Sequence, residues 1–556
     1  MALDTQLADK LETALHHGRI QDGIELLSLA KEEIGELHSG NPEAGRILLL
    51  YSQWIDAGFG DYRILLPLLE RFPPECRKGL PLSDYARVRM ASAFVDLARG
   101  ELDAAIETLG SVLHICRDVF DPGLEALAHF WKGRAHRKNG EYESALEDMT
   151  SAHELARDNN RFFAAQVEIQ QSWLLFQRGE IKEAEQLLNR AESVLKSTDH
   201  YIALANIESA RGRIVRRSGQ YTEALRHYAK AVEIYAKRDP NHVNLARTLV
   251  NAAYVRRLLA LQMHKQIDSE ARSVRNRARS AEHPVAVQQT PFLRYQEICQ
   301  EAVQELAQAR EIYALHAKSD GIGKVSLSLG YLHLDRGEIE SAEREASEAH
   351  RIGTEQKDRI LMARARILQS AIENAHVEEQ TGDAADIGSH ANRAKQFSEE
   401  ALALAHGTQN RRLLAGACIA RGTTAANDFF QDWETARTFA AEATGLVGPG
   451  ERDQVVEDLA SLKSQIVRAS GIDDVLRSWS EGFVGSKTFQ QVVEEFAEIV
   501  IPKVWIRQDR KISRVASSLS ISPKKVRRIL RNSGYIDSHE SLNKGDGSGN
   551  GAAASD

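Results

Sequence analysis

Apolar residues recur along this chain with the spacing of amphipathic helices, and a short signature divides the helices into pairs. The signature is a glycine, a polar residue, an apolar residue and a second polar residue, with alanine five positions after the glycine. It begins at Gly100, Gly140, Gly179 and Gly219, so its period is 39 or 40 residues. A fixed period of this length is typical of proteins built from stacked helical units. The pattern therefore predicts an all-α solenoid.

The unit around Gly140 shows how one hairpin is built. Its first helix is predicted over Ala126–Lys138 and its second over Tyr142–Asp158. Glycine suits the end of the first helix because a helix C-cap often needs a positive φ. Small residues allow helices to approach closely, and here they recur at intervals of 12 and 7 residues. Two such sets are Gly133, Ala145, Ala152 and Gly212, Ala224, Ala231.

These features together resemble the tetratricopeptide repeat. The resemblance rests on Trp131 and Gly133 in the first helix, on the hairpin glycine, and on the alanines of the second helix. It covers about residues 85–450. It implies a tetratricopeptide-like superhelix of helical hairpins, with a period of about 40 residues in place of the usual 34. It also implies a concave surface that binds a peptide or protein partner.

The remaining patterns divide the chain into further regions. The predicted regions are an N-terminal helical region with degenerate repeats (1–84), the solenoid (85–450) with insertions near 265–295 and 377–389, a capping helix (451–470), a linker (471–487), a helix-turn-helix domain (488–536) and a disordered tail (537–556). The first insertion is polar and contains two prolines, so we expect a helix extension followed by a long loop. A capping helix is expected because an open solenoid end would expose apolar surface.

The resemblance also implies which residues face the concave groove. They lie on the first helix of each hairpin, beside the small residue and three or four positions beyond it. These partner-binding positions are Arg134, Arg137, Lys138, Trp173, Phe176, Arg213, Arg216, Arg217, Arg256 and Arg257, with Asn206 and Asn251 nearby. Arginines can hold a carboxylate or phosphate through charge-assisted hydrogen bonds, so we expect an acidic peptide or one with a free C-terminal carboxylate. The alternative is a solvated face whose arginines pair with acids of the adjacent helix.

A different pattern occupies residues 488–536. An amphipathic helix is predicted over Thr488–Ile506, where apolar residues recur at helical spacing. A short helix over Ile512–Leu519 and a second one from Pro523 follow, separated by a tight turn. Ser522 suits the N-cap position, and proline suits the first helical position. The helices can share a small apolar core and leave their basic side chains outside.

This arrangement resembles the Fis-type C-terminal helix-turn-helix domain of bacterial regulators, including its alanine in the first short helix and its closing Leu-Arg-x-x-Gly-Tyr. It implies a homodimer formed through the amphipathic helix, and a second short helix that enters the major groove of double-stranded DNA. The implied DNA-binding residues are Lys511, Ser522, Lys524, Lys525, Arg527, Arg528 and Arg531. Ser520 stands where the family has glycine, and Pro523 stands where it has a polar reader. Contacts to the DNA backbone are therefore favoured over readout of bases.

Charge is distributed unevenly between these regions. Residues 503–536 contain ten Lys or Arg residues and one acid, a net charge of +9. The whole chain carries −8, so the rest of it carries −17. A basic segment attached to an acidic body suggests a nucleic-acid contact at the basic end.

Nothing in the sequence indicates catalysis. It has no glycine-rich phosphate loop between a strand and a helix and no His-Glu-x-x-His motif, so we expect no enzyme activity, metal or cofactor. It has no leader and no long uncharged apolar run, which predicts a cytoplasmic protein. The sequence thus predicts a DNA-binding transcriptional regulator whose solenoid binds a peptide or protein. The alternative is a protein–protein adaptor without DNA binding.

Overall fold

A computed structural model describes residues 6–280 except 42, 74 and 76–78, residues 290–469 except 449, and residues 487–536 except 533–534. The side chains of residues 268–280 lie outside this description. The chain divides into two compact units, Met1–Lys463 and Ser464–Asp556. Within the described residues the regular elements are helices, with no β-strand.

The first unit opens with short helices and continues as a series of hairpins. The short helices are α1 (Leu7–His16), α2 (Ile20–Leu29), α3 (Lys31–Gly35), α4 (Ala44–Asp56) and α5 (Leu65–Glu70), with a 3-10 turn at Tyr62–Ile64. The hairpins are α6 (Leu82–Arg99) with α7 (Leu102–Val119), α8 (Pro122–Asn139) with α9 (Tyr142–Ala156), α10 (Arg161–Arg178) with α11 (Ile181–Leu195), α12 (Tyr201–Arg217) with α13 (Tyr221–Arg238), α14 (Val243–Ser280) with α15 (Thr290–Leu315), α16 (Ser319–Asp335) with α17 (Ile339–Glu355), α18 (Arg359–Glu378) with α19 (Ala384–His406), and α20 (Arg411–Ala426) with α21 (Trp433–Leu446). A final helix, α22 (Gln454–Ala469), follows. The predicted all-α solenoid of helical hairpins is confirmed.

The hairpin between α8 and α9 shows why these residues form these helices. Helix α8 begins at Pro122, earlier than predicted, because the Asp121 side chain accepts a hydrogen bond of 3.0 Å from the backbone N–H of Leu124. It ends at Gly140, whose φ is +85°. The two helices pack so closely that a Cβ at Gly133 would lie 3.1 Å from the Ala145 carbonyl oxygen. The small residues of the repeat therefore set the distance between helices.

The described residues of the two predicted insertions are largely helical. The predicted helix extension is present, because α14 continues to Ser280, and α15 starts at Thr290. The predicted long loop is left to residues 281–289, which lie outside the described residues. In the segment 377–389, only residues 379–383 separate α18 from α19, and Asp383 begins α19 with a capping box.

The solenoid contacts itself where hairpin turns of its N-terminal half meet loops of its C-terminal half. The backbone N–H of Gln409 donates to the Gly140 carbonyl at 2.9 Å, and Asn410 Nδ2 donates to the Tyr142 hydroxyl at 3.0 Å. Further along, the backbone N–H of Arg452 donates to the carbonyl of residue 217 at 3.0 Å. We call these contacts, of residues 140–142 with 408–410 and of residues 217–219 with 451–453, the seam. The seam joins segments more than 230 residues apart in sequence and closes the curved scaffold on itself.

We predict that Gly219→Ala destabilises the solenoid more than Gly179→Ala. Both glycines have positive φ, +78° and +89°, so either substitution costs about 1–2 kcal/mol of backbone strain. A Cβ at Gly219 would also lie 2.9 Å from the Arg452 carbonyl oxygen, whereas a Cβ at Gly179 would meet nothing within 4 Å. Overpacking at the seam should add about 1–3 kcal/mol. Urea unfolding followed by circular dichroism measures both losses, and equal losses would show that the seam does not bear on stability.

After the last residues of α22, the described part of the second unit consists of three helices, α23 (Phe489–Arg507), α24 (Ile512–Ser518) and α25 (Pro523–Asn532). Their buried core is formed by Ile501, Val515, Ala516, Val526, Ile529 and Leu530. The two short helices are joined by a tight turn, as the sequence predicts. Most of the predicted linker and the whole predicted tail, residues 537–556, lie outside the described residues.

Candidate ligand groove and basic terminal surface

The first helices of several hairpins bring arginines together on the inner surface of the solenoid. Arg137 lies on α8, Arg213 and Arg216 on α12, and Arg247 on α14. We call these four residues the arginine cluster. Arg137 and Arg213 lie close enough to each other and to Arg247 for their charges to repel. Their side chains keep some contact with solvent although protein surrounds them, as expected on a concave surface.

Arginines of this inner surface lie over aromatic rings of the following hairpins. The guanidinium of Arg137 lies 4.9 Å from the centre of the Trp173 ring, and that of Arg216 lies 4.9 Å from the centre of the Tyr254 ring. Each arginine lies four positions after the small residue of its helix, and each ring follows the corresponding small residue of the next hairpin. The repeat therefore builds a row of cation–π pairs that orients the guanidinium groups.

The arginine cluster has few counter-ions. Arg213 makes no hydrogen bond or ion pair with a described residue, and the Nε atoms of Arg137 and Arg216 are buried without a hydrogen-bond partner. Burial, and then the charges of Arg134 and Arg247, lower the pKa of Arg137 to about 9. Burial also lowers the pKa of Arg213 to about 10. Both groups stay charged at neutral pH, so an anion bound among them would relieve their mutual repulsion.

A cavity of about 460 Å³ opens beside this cluster. Its walls come from α1, α4, α6, α8, α9, α10, α12 and α14, and they include Arg137, Arg247 and Asn206. Asn206 accepts hydrogen bonds from Arg247 Nη2 at 2.9 Å and from the Tyr235 hydroxyl at 3.1 Å. The cavity therefore combines positive charge with fixed amide groups.

Arg247 was not among the residues predicted from the sequence, although a signal for it exists. It lies 41 residues after Asn206, which is one repeat further along the chain. Moving each predicted position by one repeat would have identified it.

Several predicted groove residues are neutralised by acids. Arg134 pairs with Asp56, and Arg257 Nε pairs with Asp335 at 2.5 Å. Arg256 pairs at 2.8 Å with Glu301 of the second helix in its own hairpin. The pairing of Arg256 is the one that the alternative describes. Arg134 and Arg257 are paired as well, but with acids of helices further away along the chain.

Three other predicted groove residues lie on the first helices of their hairpins: Lys138, Asn251 and Trp173. Lys138 Nζ donates to the Leu97 carbonyl at 3.0 Å, and burial lowers its pKa to about 8 although its side chain reaches solvent. Asn251 is half-buried on α14. Trp173 is half-buried beneath Arg137 and serves as the platform for its guanidinium.

The predicted groove positions Phe176 and Arg217 are corrected by the structure. Phe176 is buried in the helical core, and the Arg217 guanidinium covers its ring at 3.6 Å. Arg217 is also buried; it donates to the Phe176 carbonyl and lies 3.6 Å from Glu451. The one-residue step from Arg216 turns this side chain from the groove towards the seam, because neighbouring helical positions differ by about 100°.

The second unit exposes a basic surface on α25. Lys524, Lys525, Arg527, Arg528 and Arg531 are exposed, as is Lys511 before α24. The backbone N–H of Lys525 donates to Ser522 Oγ at 3.2 Å, so the predicted N-cap contact is present. Arg528 forms an ion pair with Glu494 of α23. Six of the seven predicted DNA-binding residues are thus cationic side chains in contact with solvent.

Residues 203–266 match the family model of the tetratricopeptide repeat. The chain therefore contains tetratricopeptide-type repeats, and the match includes the arginines on α12 and Arg247. No curated protein matches this chain.

Three solved tetratricopeptide-like structures are similar to the chain. A Rap protein complexed with competence and sporulation factor is 11% identical, covers 72% of this chain and all of its own, and has a TM-score of 0.49. NprR in complex with its cognate peptide NprX is 13% identical, covers 63% of this chain and 92% of its own, and has a TM-score of 0.40. A human IFIT1 dimer with m7Gppp-AAAA is 12% identical, covers 80% of this chain and 96% of its own, and has a TM-score of 0.39.

In the described part of the chain, none of the helices is both long and apolar enough to cross a membrane. Over the same residues, no three His, Cys, Asp or Glu side chains are grouped so that they could hold a metal ion.

The turn before α25 contains a strained residue, which leads to a prediction. Ser520, which replaces the glycine usual in the family that the sequence resembles, has a φ of +53°. Glycine adopts this conformation without the steric cost that other residues have, so Ser520→Gly should stabilise the second unit by about 0.5–1 kcal/mol. The exposed Ser518→Gly, near the end of α24, should instead destabilise it. Thermal unfolding of both variants checks the sign, and destabilisation by Ser520→Gly would contradict the strain.

Proposed function

We propose that this protein is a DNA-binding transcriptional regulator whose tetratricopeptide solenoid binds a peptide or protein partner. The observation that carries the proposal is the basic surface of α25, which a small buried core holds on a compact three-helix unit. The partner-binding part of the proposal rests on the solenoid, because its inner surface has a cavity lined by arginines and amide groups. No part of the proposal requires catalysis, and the proposed location is the cytoplasm.

The arrangement of α24 and α25 supports DNA binding through the backbone. Lys524, Lys525 and Arg527 follow the N-cap of α25, where the positive end of the helix dipole also favours phosphate. Pro523 has no side-chain donor for a base edge. We therefore propose that most contacts are to phosphates and that sequence preference is modest.

The proposed DNA-binding form is a homodimer. Phe489, Val493 and Phe496 of α23 are exposed on its N-terminal half, whereas its C-terminal half is covered by α24 and α25. Burying these side chains against a second copy would remove apolar surface from water. Two copies of α25 could then contact half-sites about 34 Å apart, one turn of the double helix.

Selection of bound fragments from random duplex DNA by the full chain tests this proposal. Affinity for a bound fragment should fall with salt by about one unit of log–log slope for each phosphate contact. A protein that retains no duplex at low salt would rule out the DNA-binding role.

The exposed apolar stripe of α23 favours a second candidate, a protein–protein adaptor. In that case α23 would bind another protein, and the pairing of Arg528 with Glu494 would be structural. Removal of Phe489 and Phe496 would then abolish partner binding at any salt concentration. In the regulator, the same change would weaken dimer formation and DNA binding together.

A further inference from the structure

Arg137 and Arg247 of the arginine cluster line a cavity whose own acids are already engaged, and Arg213 lies close to both of them. Asp56 pairs with Arg134 and accepts a hydrogen bond of 2.8 Å from Trp131 Nε1. Asp121 caps α8, and Glu12 pairs with Arg46. None of these acids, which are the carboxylates lining the cavity, neutralises Arg137. The positive charge of the cluster is therefore available to something from outside the chain.

The free donors of the cluster are oriented rather than mobile. A guanidinium placed over an aromatic ring can still donate its N–H groups to acceptors. Arg137 and Arg216 lie over the rings of Trp173 and Tyr254, and each has a buried Nε without a partner. The buried hydroxyl of Tyr228, close to Arg216, also lacks a hydrogen-bond partner. Buried donors without acceptors are costly, so an acceptor from outside the chain that reached these groups would be stabilising.

We propose that the arginine cluster binds an acidic peptide segment that places two or more carboxylates together, with Arg137 and Arg247 contacting the segment from this cavity and Arg213 and Arg216 from beside it. The proposal rests on the peptide-binding role of the solenoid given above. One carboxylate would leave most of the four arginines uncompensated, whereas several neighbouring carboxylates can each accept bidentate hydrogen bonds. Gln166 and Gln170, one turn apart on α10, also line the cavity and offer amide groups to a peptide backbone. A small inorganic anion would leave those amides unused.

Isothermal titration of the full chain with four probes tests the proposal. The probes are tetraglutamate blocked at both ends, tetraglutamine blocked at both ends, acetylated tetraglycine with a free C-terminal carboxylate, and inorganic phosphate. Tetraglutamate should bind most tightly, and its affinity should fall with added salt. Equal binding of tetraglutamine, or tighter binding of acetylated tetraglycine or of phosphate, would overturn the proposal.

Substitutions identify the site. Arg213→Gln should weaken tetraglutamate binding by about 10- to 100-fold, since a charge-assisted hydrogen bond is lost. Arg213→Lys should restore part of the affinity. The matched control Arg226→Gln removes an arginine that is 70% exposed and paired with Glu223, and it should leave binding unchanged. Unaltered binding by Arg213→Gln, with its fold intact by circular dichroism, would exclude the site.

The peptide titration and the DNA titration report on separate claims. In the absence of peptide, the Arg213→Gln variant should bind duplex DNA with the same affinity as the unaltered chain, because Arg213 belongs to the first unit. A chain that binds tetraglutamate and no DNA would contradict the regulator and leave the acidic-peptide site standing. A chain that binds DNA and no tetraglutamate would contradict the site alone.

Discussion

Arg412→Ala is expected to lower the free energy of unfolding by about 3–5 kcal/mol, the cost of leaving buried charges without a partner. Arg412 of α20 pairs with both Glu451 and Asp453, and Glu451 also lies 3.6 Å from Arg217. The four side chains are between 5% and 13% exposed. Removal of Arg412 would leave Asp453 without its ion-pair partner, and Glu451 with only the more distant Arg217, just before α22. Urea unfolding followed by circular dichroism measures the loss.

The matched control is Arg226→Ala, which breaks a surface pair with Glu223 and should cost about 0–1 kcal/mol. Hydrogen exchange gives a local readout, because the backbone N–H of Arg452 donates to the Arg217 carbonyl across the seam. That amide should lose protection in Arg412→Ala and keep it in the control. If both variants lose the same stability, this ion-pair network does not hold the seam together.

The hairpins of the solenoid could be predicted from the sequence because their determinants are local. Gly140 ends a helix through its own backbone conformation, and Gly133 packs on Ala145 only twelve residues away. The core of the second unit is predictable for the same reason, since Val515, Val526 and Ile529 lie within one short motif. Periodicity alone places each of these residues on the buried face of its helix.

The seam could not be predicted in this way. Gly140 meets Gln409 only because the small rotation of each hairpin on the next accumulates over many repeats. No local pattern records that rotation. The same limit explains why the network of Arg412 with Glu451 and Asp453 has no signal in the sequence.

The positions of the groove arginines could be predicted from the sequence, but whether each arginine is paired with an acid could not. The repeat places Arg216 and Arg257 at equivalent positions, yet Arg257 pairs with Asp335, which is 78 residues away, whereas Arg216 forms no ion pair with a described residue and only feels the charge of Asp453. Which arginine stays free therefore depends on a neighbouring helix rather than on its own. This distinction separates residues that hold the scaffold together from residues that can hold a ligand.

Lys525→Glu combined with Arg528→Glu is expected to reduce affinity for duplex DNA by about 100-fold or more, because two phosphate contacts become repulsive. The log–log dependence of affinity on salt should also become shallower by about two units. Both side chains are exposed and outside the core of Ile501 and Leu530, so the fold should persist. Fluorescence anisotropy with a labelled duplex at several salt concentrations measures both effects.

Arg514→Glu is the matched control for this double substitution. Arg514 is exposed on α24 of the same unit and pairs with Asp509 at 2.7 Å, away from the proposed contacts on α25. It should change affinity far less, although it reverses a charge in the same small domain. If the α25 double variant bound DNA no more weakly than this control, the basic face of α25 would not be the DNA-binding surface. An equal loss of affinity in both variants would reflect only the net charge of the unit. The exposed apolar stripe of α23 would then favour the adaptor as the function of this protein.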